Sequence, residues 1–284
     1  MTRPIATDPQ GIRYKTRVEY RDPDSSLLPE NGWDGFNIKW LIDEQSMGAT
    51  LGSLGYAFFP PGSQHKLHVH EDAEELTIYL RGRGKRVCGD QVCEVGAGDI
   101  LFTPRGQVHG ITSLDPNEPI ELWCFYAGAP NVEKTGYSLA AEPENIKKAD
   151  SSFKLRTRVE FRKPDQGLKA EDGWDGFNMR WLIDDKTMGA TIGSLGYAVF
   201  PHGTQHKLHK HDNAEEYTVY LRGRGIRVSG DQEYEVKPGD VVFTPRGVVH
   251  GLKSVDPNEP IELWCFFAGA PSIEKTGYSV VSNK

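Results

Sequence analysis

A run of apolar residues long enough to cross a bilayer as a helix is missing from this 284-residue chain. Such a span needs about 20 residues, so no membrane partner is expected. The opening residues, Met1 to Lys15, hold no apolar core of the kind a secretory leader needs, and the expected location is the cytoplasm. Basic excess is missing too: 33 Lys and Arg stand against 40 Asp and Glu, a net charge of −7. Non-specific nucleic-acid binding needs a basic stripe, so nucleic acid is excluded as a partner. Cysteine is scarce, with 4 in the chain. Cys124 and Cys265 lie in the apolar runs ELWCFY and ELWCFF and read as small core hydrophobes. Cys88 and Cys93 flank Gly-Asp-Gln-Val, a hairpin signal that would set them across from each other. Helical periodicity is weak throughout, and the best helical candidate is the short polar stretch Glu144 to Ala149.

What is present is a repeat. Thr16-Arg-Val-Glu19 recurs as Thr157 to Glu160, Gly32-Trp-Asp-Gly-Phe36 as Gly173 to Phe177, and Asp115 to Phe125 as Asp256 to Phe266. The offset is always 141 residues, as between Thr16 and Thr157, with no gap. Solenoid repeats run to about 20–50 residues, so this period predicts two globular domains, 1–143 and 144–284. Cys88 and Cys93 become Ser229 and Tyr234 in the second copy, so a bridge between them is not needed for the fold. The polar segment before Thr16 reads as an arm that pairs with another part of the assembly. Within each copy the signals are β: short alternating or apolar runs such as Leu76 to Leu80, Ile100 to Phe102 and Leu122 to Tyr126, punctuated by Gly and Pro. That pattern predicts an all-β sandwich or barrel.

The stretch Gly62 to Gly82 carries the chemistry. His68 and His70 are two residues apart, so on a strand they share a face, about 7 Å apart. Glu75 follows, and His109 stands after Pro104-Arg-Gly106. Glu75 competes with its neighbour Glu74, and strand alternation favours Glu75. Three imidazoles and a carboxylate suit a borderline divalent metal. Four protein ligands leave one or two positions open, which is a catalytic type of site. The set recurs at His209, His211, Glu216 and His250.

The spacings Gly62-x5-His68-x-His70-x4-Glu75-x6-Gly82 and Gly98-x5-Pro104-x-Gly106-x2-His109, with their copies at Gly203–Gly223 and Gly239–His250, resemble the two signature motifs of the cupin superfamily. The likeness covers nearly the whole chain and implies a bicupin: two tandem antiparallel jelly-roll barrels, each with a metal inside. One departure is Ser113 and Ser254, where an Asn is often found in the family. The fold hosts oxygenases, decarboxylases, isomerases, storage proteins and regulators, so the reaction must be argued from the site.

His65 and His206 precede the first ligand by three residues. Bicupin oxalate decarboxylases carry at this place an arginine that grips the substrate carboxylate. A histidine lacks that two-pronged fork but can donate one hydrogen bond or move a proton. Oxalate itself is therefore disfavoured, while a role in substrate handling is retained. Gln64, Lys66 and their copies share strand parity with the ligands, which would place them at the cavity mouth, but for the lysines a solvated position at the strand end is the favoured reading. Tyr79 and Tyr220 share the parity of Glu75 and are candidates to hydrogen-bond substrate. The expectation is one divalent metal per domain, Fe or Mn favoured and Ni, Zn or Cu permitted. The leading functional expectation is a dioxygenase acting on a small oxygenated molecule. The alternatives are a non-oxidative decarboxylase or isomerase, and a non-enzymatic cupin that binds a small ligand. Association into a homo-oligomer is permitted through the arm.

Overall fold

The computed structural model describes residues 8–149 and 153–281. In the first half, a 6-stranded sheet runs in the order Arg156–Thr157, Ile100–Thr103, Glu74–Arg81, Ile120–Ala127, Gly52–Phe59, Asn37–Ile42. Facing it, a 7-stranded sheet runs Tyr137–Leu139, Gln64–His70, His109–Ser113, Arg83–Cys88, Gln91–Gly96, Lys147–Lys148, with Trp33–Asp34 also paired to Gln64–His70. The second half repeats both sheets, except that its second sheet has 6 strands and, among the described residues, no counterpart of Lys147–Lys148. Pairing is antiparallel except at Lys147–Lys148, which lies parallel to Gln91–Val92. This short strand corrects the helical expectation for Glu144 to Ala149: two exposed lysines join a sheet edge there. A second correction concerns the hairpin, where Cys88 faces Gln91 and Cys93 faces Arg86; all four cysteines are free and buried.

Glu74–Arg81 is buried on both faces, and its alternation divides the labour. Tyr79 belongs to the core inside the first barrel, with Phe59, Ile111, Leu122 and Cys124. Leu76 and Ile78 point the other way, into a core shared between the halves that includes Phe125, Leu195, Tyr217 and Phe266. A matching interior core fills the second barrel. The 6-stranded sheets of the two halves thus pack back to back. At about 25 cal/mol per Å² of buried apolar surface, this shared layer is a main source of cohesion.

Two devices tie the halves together. The arm strand Lys15–Thr16 pairs with Val241 and Val242 of the second half, and its copy Arg156–Thr157 pairs with Ile100 and Leu101 of the first. Arg17 and Arg158 fix the exchange through 2.8 Å contacts to Asp240 and Asp99. The arm therefore pairs within its own chain; residues 1–7 of it lie outside the described part. Secondly, Glu74, turned away from the barrel interior, accepts hydrogen bonds from the Thr191 amide and hydroxyl (both 2.7 Å) and from the amides of Ile192 (3.1 Å) and Gly193 (3.0 Å). Glu215 does the same to Thr50 and Leu51.

Gly82 ends the strand that carries Glu75. Its φ is +74°, and a Cβ there would meet the Pro119 carbonyl oxygen at 2.2 Å, with the same conflict at Gly223 and Pro260. Only glycine fits this turn.

Candidate metal centres

The strand Gln64–His70 brings His68 and His70 to the barrel interior. His109 starts the neighbouring strand, opposite His68 in register, and Glu75 comes from the facing sheet. Donor atoms of His68, His70, Glu75 and His109 all lie within 4.8 Å of one another, as do those of His209, His211, Glu216 and His250. All eight side chains are buried. Glu74, one residue away from Glu75, faces the other domain as described.

Each imidazole is held by its far nitrogen. His68 Nδ1 lies 2.7 Å from the Lys66 carbonyl and His109 Nδ1 2.8 Å from the Gln107 carbonyl. Carbonyls only accept, so both rings carry the proton on Nδ1. His70 Nδ1 lies 2.8 Å from Thr135 Oγ1, whose own proton goes to the Val132 carbonyl at 2.7 Å; this hydroxyl also acts as an acceptor. The second domain repeats the pattern through Lys207, Val248 and Thr276. The Nε2 atoms point inward: those of His68, His70, His209 and His211 are buried with no hydrogen-bond partner, and those of His109 and His250 lie 2.6 and 3.2 Å from Oε2 of Glu75 and Glu216. Second nitrogens anchored to carbonyls or hydroxyls are the arrangement that readies histidine for a metal, and the orphaned Nε2 atoms fit one.

The carboxylate is held as well. Glu75 Oε1 accepts from Thr77 Oγ1 at 2.8 Å and faces Arg86 Nη2 at 3.5 Å, while Oε2 lies 2.6 Å from His109 Nε2. Burial works to raise the pKa of Glu75, but the Arg86 guanidinium, first among its neighbours, outweighs burial and holds the carboxyl well below its usual range. Glu216 is matched by Thr218 at 3.0 Å and Arg227 at 3.0 Å. Burial drives the histidines down: His70 to about 3, His65 and His68 well below 6.5. Neutral imidazole and ionised carboxylate are the protonation states a metal takes.

His65 is drawn into the site. On a regular strand, residues three apart face opposite ways, yet the rings of His65 and His68 stack at 3.8 Å between centroids. A register shift between the partners of His65 and His68 accounts for this by turning both inward. The same irregularity turns Lys66 out, where its Nζ reaches the Pro29 carbonyl at 3.1 Å; it does not line the cavity mouth. Trp33 covers the other face of His65 at 4.2 Å, and His206 is sandwiched alike between His209 and Trp174. The copies differ in one respect. His206 Nε2 lies 3.2 Å from Tyr278 Oη, whereas His65 Nε2 is buried with no partner.

In the second domain a cavity of about 30 Å³ is walled by Trp174, Phe177, His206, His209, Glu216 and Arg227, among others. A water needs about 10–15 Å³ on this measure, so the space admits two waters or a ligand of a few heavy atoms. Trp174 also walls an outer groove of about 510 Å³ with Tyr278, and a groove of about 450 Å³ lies at Trp33 and Tyr137. Tyr220 is not in the cavity wall. Tyr79 and Tyr220 stand four residues past the carboxylate ligand, about 13 Å along the strand. Their hydroxyls are buried without partners and kept protonated by burial.

Arg86, Arg227, Thr135, Thr276, Tyr137 and Tyr278 were not singled out from the sequence. The signal was there for the arginines: both copies have Arg eleven residues past the ligand Glu, at an inward position of the next strand. The threonines sit at the ends of short 3-10 turns far along the chain, and periodicity does not reach them.

Two tandem barrels, each with a buried set of three histidines and one glutamate, define a bicupin. The chain belongs to the cupin family: the family described as Cupin domain matches residues 55–126 and again 196–267. An uncharacterized protein of Methanocaldococcus jannaschii is 32% identical over 91 residues, 32% of this chain and 72% of that one. Oxalate decarboxylase OxdC of Bacillus subtilis is 22% identical over 273 residues, 80% of this chain and 69% of OxdC. Among solved structures, the formate complex of Lactobacillus farciminis oxalate decarboxylase is similar with a TM-score of 0.69 at 15% identity, covering 95% of this chain and 89% of that one. Bacillus subtilis oxalate decarboxylase, studied for its Mn(II) centres, gives 0.67 at 14% identity, covering 92% and 78%. At such identities the structural likeness establishes the fold. The chain has one divalent-metal site per domain. Among the described residues, no helix is long and apolar enough to cross a membrane.

Proposed function

We propose that this bicupin is a metal-dependent enzyme that acts on a small organic acid without net oxidation, a decarboxylase by reaction class. This moves the emphasis away from the dioxygenase expected from sequence. The observation that carries it is the pair of buried donor sets in a chain aligned over 80% of its length with a bicupin oxalate decarboxylase. The metals would be held by His68, His70, Glu75 and His109 in one domain and by His209, His211, Glu216 and His250 in the other. A bound divalent ion supplies Lewis-acid polarisation of a substrate oxygen.

The chain supplies the surroundings. The outer grooves behind Trp33 and Trp174 give a route of approach, and the aromatic layer keeps bulk water out. The cavity size limits the reacting part of the substrate to a few heavy atoms. His65 presents an unpartnered ring nitrogen against ligand His68, where it can donate to, or take a proton from, a bound substrate atom. His206 has the same place with its Nε2 engaged by Tyr278, so His65 is the freer of the two. Tyr79 and Tyr220 contribute protonated hydroxyls deeper in each barrel. Histidine in place of a gripping arginine argues for an acid other than oxalate.

A second reading, the dioxygenase, is favoured by the donor set itself, since three imidazoles and a carboxylate also suit iron. The test is to load the protein with Mn or Fe, supply a panel of small hydroxy, keto and dicarboxylic acids, and follow CO2 and dissolved O2 together. CO2 released with no O2 consumed supports the proposal. O2 consumed mole for mole with substrate moves the assignment to the dioxygenase. Neither change, with tight ligand binding, overturns both in favour of a binding protein.

A further inference from the structure

Arg86 and Arg227 are charged, 3% exposed, and close to the metal donors without being donors themselves. Arg86 Nη2 reaches Thr103 Oγ1 at 2.9 Å and faces Glu75 Oε1 at 3.5 Å; Arg227 Nη2 reaches Thr244 Oγ1 at 2.7 Å and Glu216 Oε1 at 3.0 Å. The Nε–H of each is buried with no acceptor. Arg227 belongs to the same small cavity wall as Glu216, His206 and His209.

Holding the glutamate in place does not require a guanidinium. Thr77 and Thr218 already donate to the same Oε1 atoms, at 2.8 and 3.0 Å, and carry no charge. What the arginine adds is one positive charge in a closed interior. In each donor set the glutamate is the sole carboxylate, the arginine beside it cancels its charge, and imidazoles that hold a metal through Nε2 while keeping the proton on Nδ1 are neutral. The two charges of a divalent ion then have no counter-charge from the protein. Uncompensated charge in a desolvated site is expensive, and the compensation must come from the ligand.

We infer that Arg86 and Arg227 make the two metal sites selective for small anions of the carboxylate class, by cancelling the charge of the glutamate ligand. The inference rests on the reading that these sites hold a metal. It concerns binding, so it stands or falls separately from the decarboxylase assignment.

The probes are formate and formamide, which share three heavy atoms in nearly one shape and differ in charge. Each is titrated into the full-length Mn(II)-loaded protein and followed by the Mn(II) EPR spectrum, and Mn(II) affinity is measured by competition with a chelator. The Arg86→Gln/Arg227→Gln protein should bind formate about tenfold more weakly or worse, the effect of one nearby charge. Formamide binding should stay unchanged, and Mn(II) affinity should be equal or higher. A purely structural arginine predicts instead that Mn(II) affinity and both probes fall together; that result, or formate binding left unchanged, overturns the proposal. Should the Gln variants not fold, Arg86→Lys and Arg227→Lys carry the test. With charge kept and reach shortened they should hold formate affinity within about threefold, and a tenfold loss overturns the idea.

Discussion

Removing the Glu74 side chain should loosen the whole molecule rather than the barrel that carries it. The residue is 2% exposed, and its carboxylate takes hydrogen bonds from Thr191 (amide and hydroxyl), Ile192 and Gly193, all in the other domain and all between 2.7 and 3.1 Å. Hydrogen bonds to a charged group contribute about 1.5–3 kcal/mol each, though not additively, and an orphaned buried donor costs about 1–3 kcal/mol. Glu74→Ala strands the three amides. Breaking a buried charged contact from one side typically costs about 3–5 kcal/mol, and we take that as the expected loss. In a domain of 150–250 residues about 1 kcal/mol shifts the melting temperature by about 2–4 °C; the melting point should therefore fall by about 6–20 °C. Because the lost bonds all cross between domains, the calorimetric transition of the metal-free full chain should also broaden or split in two. Glu74→Gln keeps one acceptor oxygen and should lose about half as much. Metal capacity below the transition should stay at one ion per domain, since Glu75 faces the other way. A Glu74→Ala protein that melts within 2 °C of wild type in a single sharp transition would refute the reasoning.

Two further outcomes are expected. Thr135→Val and Thr276→Val remove the acceptor that fixes His70 and His211. They should weaken metal binding at their own site by about 10–100-fold, read by chelator competition, with Thr→Ser restoring it; unchanged affinity would show that the tautomer is set elsewhere. The metal-free protein should also be acid-sensitive. His70 is pushed down to about 3, and His65, His68, His206 and His209 well below 6.5. The unfolded chain takes up protons first, so stability is full above about pH 6.5 and falls below it by about 1.4 kcal/mol per pH unit per histidine. Circular dichroism should place the acid unfolding midpoint between about pH 5 and 6, and a midpoint below 4 would refute this account.

The strand periods, the 141-residue repeat and the four-donor motif were legible from the sequence because each depends on local spacing. Glu75 over Glu74 followed from alternation, which also explains why Glu74 points into the other domain. The inward turn of His65 was not legible: it needs a register irregularity against His109–Ser113, a property of two strands rather than one. The same irregularity turns Lys66 outward, in agreement with the solvated position favoured for it. Arg86 hid in RGRGKRV, where four cations in six residues read as surface, and only pairing with Gln91–Gly96 turns this one inward. Thr135 lies 65 residues from the histidine it holds, beyond the reach of any spacing rule.

The exchanged strands set an order of events during synthesis. Thr16 is made well before its partner Val241, which follows only after most of the second half. At about 5–20 residues per second the arm waits some 10–45 s with its edge partner not yet made. The first barrel waits less, since Arg156–Thr157 follows directly on its own last strands. A nascent first half therefore leaves the ribosome with its Leu76 and Ile78 face bare and its arm free. The hazard in that interval is pairing with the first half of another chain, whose Ile100–Leu101 edge resembles the awaited Val241–Val242. With both halves on one chain, the exchange of arms becomes a matter of timing within a single molecule.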